Sequence, residues 1–296
     1  MFRILCVLAM LQATAAPPPD TEIYLAALSV TSGQIHVGQP VNISKSPGYD
    51  NQPSFTPDGR SILFTSVRGG ATQTDIYRCD ISSKAIVRVT DTPESEYSPN
   101  VTPDGSHISV VRVEADSTQR LWEFSLDGTD PRLVLTGVKP VGYYAWADDH
   151  TLALYVLGSP ATLQLADTRT GKAEIIESSI GRSLQPIPGT GQVSFVVNQP
   201  AAQKGQAPDV SIRALDPKTR RTSVLVRAVA GAAEADCAWT PDRTLLMAQG
   251  GTLYAWKQGD KQWSAAADLA SLGLRGATRL AVSPHGDMIA IVAQPK

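Results

Sequence analysis

With 296 residues, 42% of them apolar, and a formal net charge of −2, the chain can bury a sizeable core and offers no bulk charge to nucleic acid or a membrane surface. Acidic and basic residues are scattered along it. The four histidines, His36, His107, His150 and His285, fall in different parts of the chain rather than in the cluster a metal site favours, so no metal and no cofactor is expected.

The first sixteen residues read as a secretory signal: Arg3 is the positive end, Ile4 to Leu11 the apolar core, and Ala13-Thr14-Ala15 a small-residue cleavage site. That apolar run is too short to span a bilayer. Residues 17–296 then form a single domain in this reading, exported to an oxidising compartment.

Two short strands open the domain, Glu22–Ala27 and Pro40–Ser44. A recurring phrase follows. Phe55-Thr56-Pro57-Asp58-Gly59-Arg60 returns as Val101-Thr102-Pro103-Asp104-Gly105-Ser106, as Trp239-Thr240-Pro241-Asp242-Arg243 and as Val282-Ser283-Pro284-His285-Gly286-Asp287. Worn copies stand at Ala145–His150 and Pro186–Gly191, so the turn prolines or their equivalents fall at 57, 103, 147, 188, 241 and 284. Proline presets φ for a turn, aspartate tolerates the next position, and glycine takes the left-handed conformation that returns the chain.

Each phrase lies between β-rich runs, such as Ser61–Ser66 and His107–Val113, and is followed by third and fourth strand candidates. In chain order these are Asp75–Cys79 with Ala85–Val89, Arg120–Phe124 with Pro131–Leu135, Thr162–Leu165 with Glu174–Ile176, Val210–Arg213 with Ser223–Val226, and Thr252–Trp256 with Trp263-Ser264. Four strands per unit of about 45 residues describes one blade of a propeller. The sixth unit stops after Met288–Ala293, two strands short, and the two N-terminal strands are unclaimed. The expectation is therefore an all-β, six-bladed β-propeller of four-stranded blades, closed by N-terminal strands that complete the C-terminal blade. Cys79 and Cys237 fall in separated blades and are expected to remain free thiols.

The phrase P-S-F-T-P-D-G-R followed by an apolar strand, then D-I-Y and a fourth strand ending in V-T, resembles the propeller repeat of TolB-type periplasmic proteins. The resemblance runs from Glu22 to the C-terminus, without the α/β domain that precedes the propeller in TolB proper. It implies a periplasmic, non-enzymatic protein that binds a periplasmic or envelope protein, with no nucleic-acid partner and no membrane span, and a monomer is expected.

Searching for chemistry returns little. There is no G-x-S-x-G nucleophile elbow, no H-E-x-x-H, no C-x-x-C and no phosphate-cradling glycine loop. The loops that enter the innermost strands converge at one mouth of the central channel and supply the candidates. Around the ring these are Tyr49, Asp50 and Asn51; Glu94, Glu96 and Tyr97; Tyr143 and Tyr144; Arg182 and Gln185; Glu234 and Asp236; and Arg275 with Arg279. Tyrosine and arginine are favoured interface anchors, which points to protein binding or scaffolding. Polar loop residues are also what any soluble protein shows to water, and each tyrosine could instead pack between blades. Asp50, Glu94 and Glu96 leave open a second reading, an enzyme or small-ligand receptor, carbohydrate-directed for example, using paired carboxylates.

Overall fold

A computed structural model of the protein describes residues 19–31, 34–199, 208–232 and 234–296. The proposed secretory segment, residues 1–16, lies outside the described residues. Six antiparallel sheets make a six-bladed ring. From the channel outward, blade 1 runs Asp50–Phe55, Ser61–Ser66, Asp75–Asp80 and Ile86–Arg88. Blade 2 runs Ser95–Val101, His107–Val113, Gln119–Ser125 and Arg132–Leu133; blade 3 runs Val141–Trp146, Thr151–Val156, Thr162–Asp167 and Lys172–Ser178. Blade 4 is Ile180–Ile187, Gln192–Gln199, Asp209–Asp216 and Arg221–Arg227, and blade 5 is Cys237–Trp239, Thr244–Gln249, Thr252–Lys257 and Ser264–Asp268.

Blade 6 joins the two ends of the chain. Its inner strands are Leu280–Val282 and Met288–Ala293, and Glu22–Thr31 supplies the third, with Glu22 to Ala27 paired against Ala293 to Met288. The closure expected from the unclaimed strands is what the fold contains. One element goes beyond that expectation: the third strand continues past the pairing, and its second half forms a hairpin with Gln34–Val37, so the outer position is divided between that strand and Val41–Asn42.

The apolar core is six seams, one between each pair of neighbouring blades. Ile62, Phe64 and Cys79 of blade 1 pack on Ile23, Leu25 and Val292 of blade 6, while Leu63 and Ile76 on the opposite face meet Ile108, Val110 and Phe124 of blade 2. Both faces of a blade are buried, so its second strand reads as a continuous apolar run rather than as strict alternation. Cys79 and Cys237 each lie buried in a seam and are free.

Polar ties repeat across the seams. The Trp146 indole donates to Ser109 Oγ at 3.0 Å, and Trp239 donates to Ser194 Oγ at 2.8 Å, each reaching from an innermost strand into the preceding blade. At the rim, Gly128 (φ 84) lies so close to blade 1 that an added Cβ would stand 1.8 Å from the Val89 carbonyl oxygen.

The recurring phrase forms the turn between the first two strands of each blade. In blade 1 the Thr56 amide donates to the Ser61 carbonyl at 2.9 Å and Gly59 returns to the Thr56 carbonyl at 2.8 Å. The Thr56 hydroxyl donates to Asp58 at 2.6 Å and accepts from the Ser61 amide at 3.0 Å. Threonine and aspartate thus occupy turn groups the strands leave open. In blade 2 the Ser106 and Thr102 hydroxyls, each bonded to Asp104, lower its carboxyl to about 2. In blade 6, where His285 replaces aspartate, Asp287 receives the Ser283 hydroxyl instead, at 2.6 Å. Blade 3 shifts by one residue from the sequence expectation: the Ala147 amide donates to the Thr151 carbonyl at 2.8 Å, which puts Asp148, not Ala147, in the proline position.

Blade 5 carries Arg243 in the left-handed conformation (φ 64) that Gly59 and Gly105 take in blades 1 and 2. A non-glycine residue there costs on the order of 1 kcal/mol or more, part of which glycine returns as unfolded-chain entropy. Arg243→Gly should therefore raise the unfolding free energy by up to about 1 kcal/mol, and Thr240→Ala should lower it by about 1 kcal/mol through the lost hydroxyl bonds. Denaturant melts of the two variants check both signs.

Candidate functional site

The innermost strands enclose a central channel of about 600 Å³ to which all six blades contribute. At the end opposite the turns, one position in each blade, five residues ahead of the turn proline or its equivalent, forms a ring: Gln52, Ser98, Tyr143, Ser183, Asp236 and Arg279. The ring is stitched from blade to blade. Gln52 Oε1 accepts the Ser98 amide at 2.9 Å, and Ser183 Oγ accepts the Cys237 amide at 3.1 Å.

One contact crosses the ring. Arg279 of blade 6 donates to the Tyr143 hydroxyl of blade 3 at 2.9 Å, with its guanidinium 4.9 Å from the centre of the tyrosine ring. Blades 3 and 6 stand opposite each other, so this pair is a bar across the channel mouth. The Tyr155 ring braces it edge-on, 5.7 Å from Tyr143. Arg279 also lies 4.0 Å from Asp236, which is held at 2.7 Å by Arg182. Burial works against the Arg182 charge, but its hydrogen bond to Asp236 and the nearby Glu234 hold its pKa well above the usual value. Burial pushes the Tyr49 hydroxyl up to about 12, although Arg279 and Arg182 pull the other way, while Tyr143 and Tyr97 add to the rise. Tyr143, Arg182, Asp236 and Arg279 therefore form one polar and aromatic cluster, with Glu234 exposed at its edge, 3.3 Å from Arg182, while Tyr49 feels its two arginines and Tyr97 packs against the seam between blades 2 and 3.

The other sequence candidates are not in this cluster. Tyr144 is buried, and its hydroxyl lies 2.9 Å from the Ser98 carbonyl and 2.6 Å from the Ser109 carbonyl, latching blade 3 to blade 2. Asn51 is buried and its side-chain oxygen accepts the Gln52 amide at 2.8 Å. Arg275 is exposed and does not line the channel. Gln185 lines the channel further in.

Asp50 and Glu96 are buried between blades and occupy equivalent positions. The Thr21 hydroxyl donates to the Asp50 carbonyl at 3.0 Å, and the Thr74 hydroxyl donates to the Glu96 carbonyl at 2.9 Å. Each carboxylate has a basic partner in its own blade: Arg68 stands 3.2 Å from Asp50, and Arg112 stands 3.5 Å from Glu96 and also binds Glu94. Each also feels a carboxylate of the preceding blade, Glu22 for Asp50 and Asp75 for Glu96. The three acids considered for paired catalysis are thus divided between two seams rather than gathered at the channel.

The innermost strands of blades 1 to 4 each carry a register shift. In blades 1 and 2 the innermost strand breaks register between Asn51 and Ser54 and between Tyr97 and Asn100, with Gln52 at φ 56 and Ser98 at φ 54. An extra residue of this kind reverses which face later side chains occupy. A place in the loop entering an innermost strand therefore does not by itself bring Asp50 and Glu96 to the channel. Arg279 and Tyr155 are the side chains that complete the cluster, and the signal for Arg279 is its matching offset from Pro284.

Residues 19–156 match the model of the TolB beta propeller domain. The Tol-Pal system protein TolB of Bordetella pertussis is 64% identical over 31 residues, which are 10% of this chain and 7% of that protein. The Francisella tularensis subsp. mediasiatica protein of the same name is 34% identical over 64 residues, 22% of this chain and 15% of its own length. The matched stretches thus span a small part of these curated relatives. The solved structure of putative TolB from Agrobacterium tumefaciens superposes with a TM-score of 0.69 at 14% identity, covering 94% of this chain and 100% of that one. An oligogalacturonate lyase in complex with manganese superposes with a TM-score of 0.59 at 13% identity, covering 94% and 92%. At such identities likeness shows the fold alone, and this fold is a scaffold shared with an enzyme. Among the described residues no group of three or more histidine, cysteine, aspartate or glutamate side chains could hold a metal ion, and no helix is long and apolar enough to cross a membrane.

Burial raises Asp50 to about 6 and Glu96 to about 7, despite hydrogen bonds to each and the nearby arginines. Unfolded aspartate and glutamate titrate near 4, so between about pH 4 and pH 7 the folded chain holds more protons than the unfolded one. The stability these two groups contribute is fully present below that window and is lost as pH rises through it. The midpoint of thermal unfolding should therefore climb from pH 8 to pH 5, and the climb should be smaller in the Asp50→Asn/Glu96→Gln double variant.

Proposed function

We propose that this TolB-type propeller is a non-enzymatic periplasmic module that binds or scaffolds an envelope protein at the channel mouth. The observation that carries the reading is the Arg279–Tyr143 bar, which turns the mouth into a floor of aromatic rings and arginines instead of an open hole. Such a surface suits a protein partner, because tyrosine and arginine give large contact area and directional donors at modest entropic cost. The carboxylates nearest the bar, Asp236 and Glu234, are both engaged by Arg182. This arrangement favours recognition over acid-base work. The names of the TolB relatives, Tol-Pal system proteins, support an envelope setting for the partner.

The test is capture of partners from a periplasmic extract by the mature chain and by variants at the mouth. Tyr143→Ala and Glu234→Arg should each reduce capture about tenfold or more, the effect expected of interface anchors. A control at the turn face, Thr170→Arg, should leave it unchanged. Undiminished capture by both mouth variants, with melting temperatures matching the parent, would place the partner elsewhere.

A further inference from the structure

The outer edges of the six blades are unequal. The outermost strands are three residues long in blade 1 and two in blade 2, and blade 6 divides its edge between strands of four and two. Short edges of this kind deny another chain a template to pair with. Blade 5 has a five-residue outer strand, but the hairpin ending in Gln34–Val37 packs beside it. Blades 3 and 4 depart from the pattern in length, with seven-residue outer strands Lys172–Ser178 and Arg221–Arg227 that pair on their inner sides only, each with one register break, at Ile176 and at Leu225.

The two long edges differ in charge. On blade 3, Glu174 and Glu177 are tied to Arg220 and Arg213 of blade 4. On blade 4, Arg221 has no ion pair among the described residues, and the Arg227 side chain pairs with the exposed Asp209 at 3.2 Å while its carbonyl accepts the Trp263 indole at 2.7 Å. Lys218 extends the basic character into the adjoining turn. Between the two end arginines lies Thr-Ser-Val-Leu-Val, a β-favouring stretch whose Val224 is 60% exposed. A strand template with an apolar centre and basic ends is complementary to an extended segment with an apolar centre and acidic ends.

Self-association is opposed by the same charges. If two copies paired edge to edge about a two-fold axis through Val224, Arg221 of each would face Arg227 of the other, and like charges directly opposite destabilise an antiparallel pair. We propose that the outer edge of blade 4, Arg221–Arg227, is a second docking surface that adds an extended, acidic-ended segment of another protein as a fifth strand. Backbone hydrogen bonds supply the affinity and the two arginines select for acidic flanks. This surface is separate from the channel mouth and does not depend on what binds there.

The probe is a capped nine-residue peptide with a valine-threonine centre and two glutamates at each end, titrated into the isotope-labelled full chain. Saturable amide shifts centred on residues 221–227, with a Kd of roughly 10 µM to 1 mM, are expected, weakening as salt rises. A counterpart with lysine in place of glutamate should bind at least about tenfold more weakly. Arg221→Glu/Arg227→Glu should reverse that preference, and the milder Arg221→Gln/Arg227→Gln pair should abolish it while keeping the parent melting temperature. Shifts confined to the channel mouth, no saturable shift with the glutamate peptide, equal binding of both peptides, or a dimer formed through this edge would each overturn the proposal.

Discussion

Burial of apolar surface between neighbouring blades is the interaction on which everything else in this protein depends. The ladders hold strands within a blade, and six side-chain seams hold the blades to one another. A blade alone would leave both its faces in water. Each seam therefore needs two partners, and the last pair can exist only if the ring closes. Six blades then fix the channel, and the channel fixes which loop residues meet.

The cost of sealing so many seams is visible in their polar groups. Asp50 and Glu96 are removed from water, and each is surrounded by threonine or serine hydroxyls and an arginine. Paired, hydrogen-bonded acids of this kind are tolerated inside proteins, while unpaired ones are strongly disfavoured. Their equivalent placement in blades 1 and 2 shows how a repeat carries a polar device as well as an apolar pattern. The hydroxyl ending the outer segment, Ser44 or Thr90, accepts the third-strand amide of Ile23 or Ile76 at 2.9 Å in both cases. The V-T ending of the fourth strand in blade 1, Val89-Thr90, is part of this seam.

Blade number, ring closure and strand order were legible because they rest on local chemistry: the Thr-Pro-Asp-Gly turn needs no distant partner to be recognised. The hairpin at Gln34–Val37 was missed although Ser32-Gly33 is a turn-forming dipeptide between two β-rich runs. The site was only partly legible. Tyr143 and Arg279 are 136 positions apart, and no pattern of spacing announces a contact across the ring. Asp50 and Glu96 are hard to place for a different reason: whether a loop residue faces the channel or a seam is decided by partners in the neighbouring blade, such as Thr21 and Thr74, and has no local residue signature.

The hybrid blade also has a kinetic meaning. Its third strand is among the earliest described parts of the chain, yet it pairs with Met288–Ala293, and the Tyr24 hydroxyl reaches the Gln294 carbonyl 270 positions away. Contacts of such sequence separation form late, after the entropy of closing a very long loop has been met. Blades 1 to 5 can each collapse from a continuous stretch as it emerges, whereas the sixth waits for the final strand. Until that strand pairs, the faces of blades 1 and 5 that meet blade 6 have no complete partner, so the apolar surface there is the last to be covered.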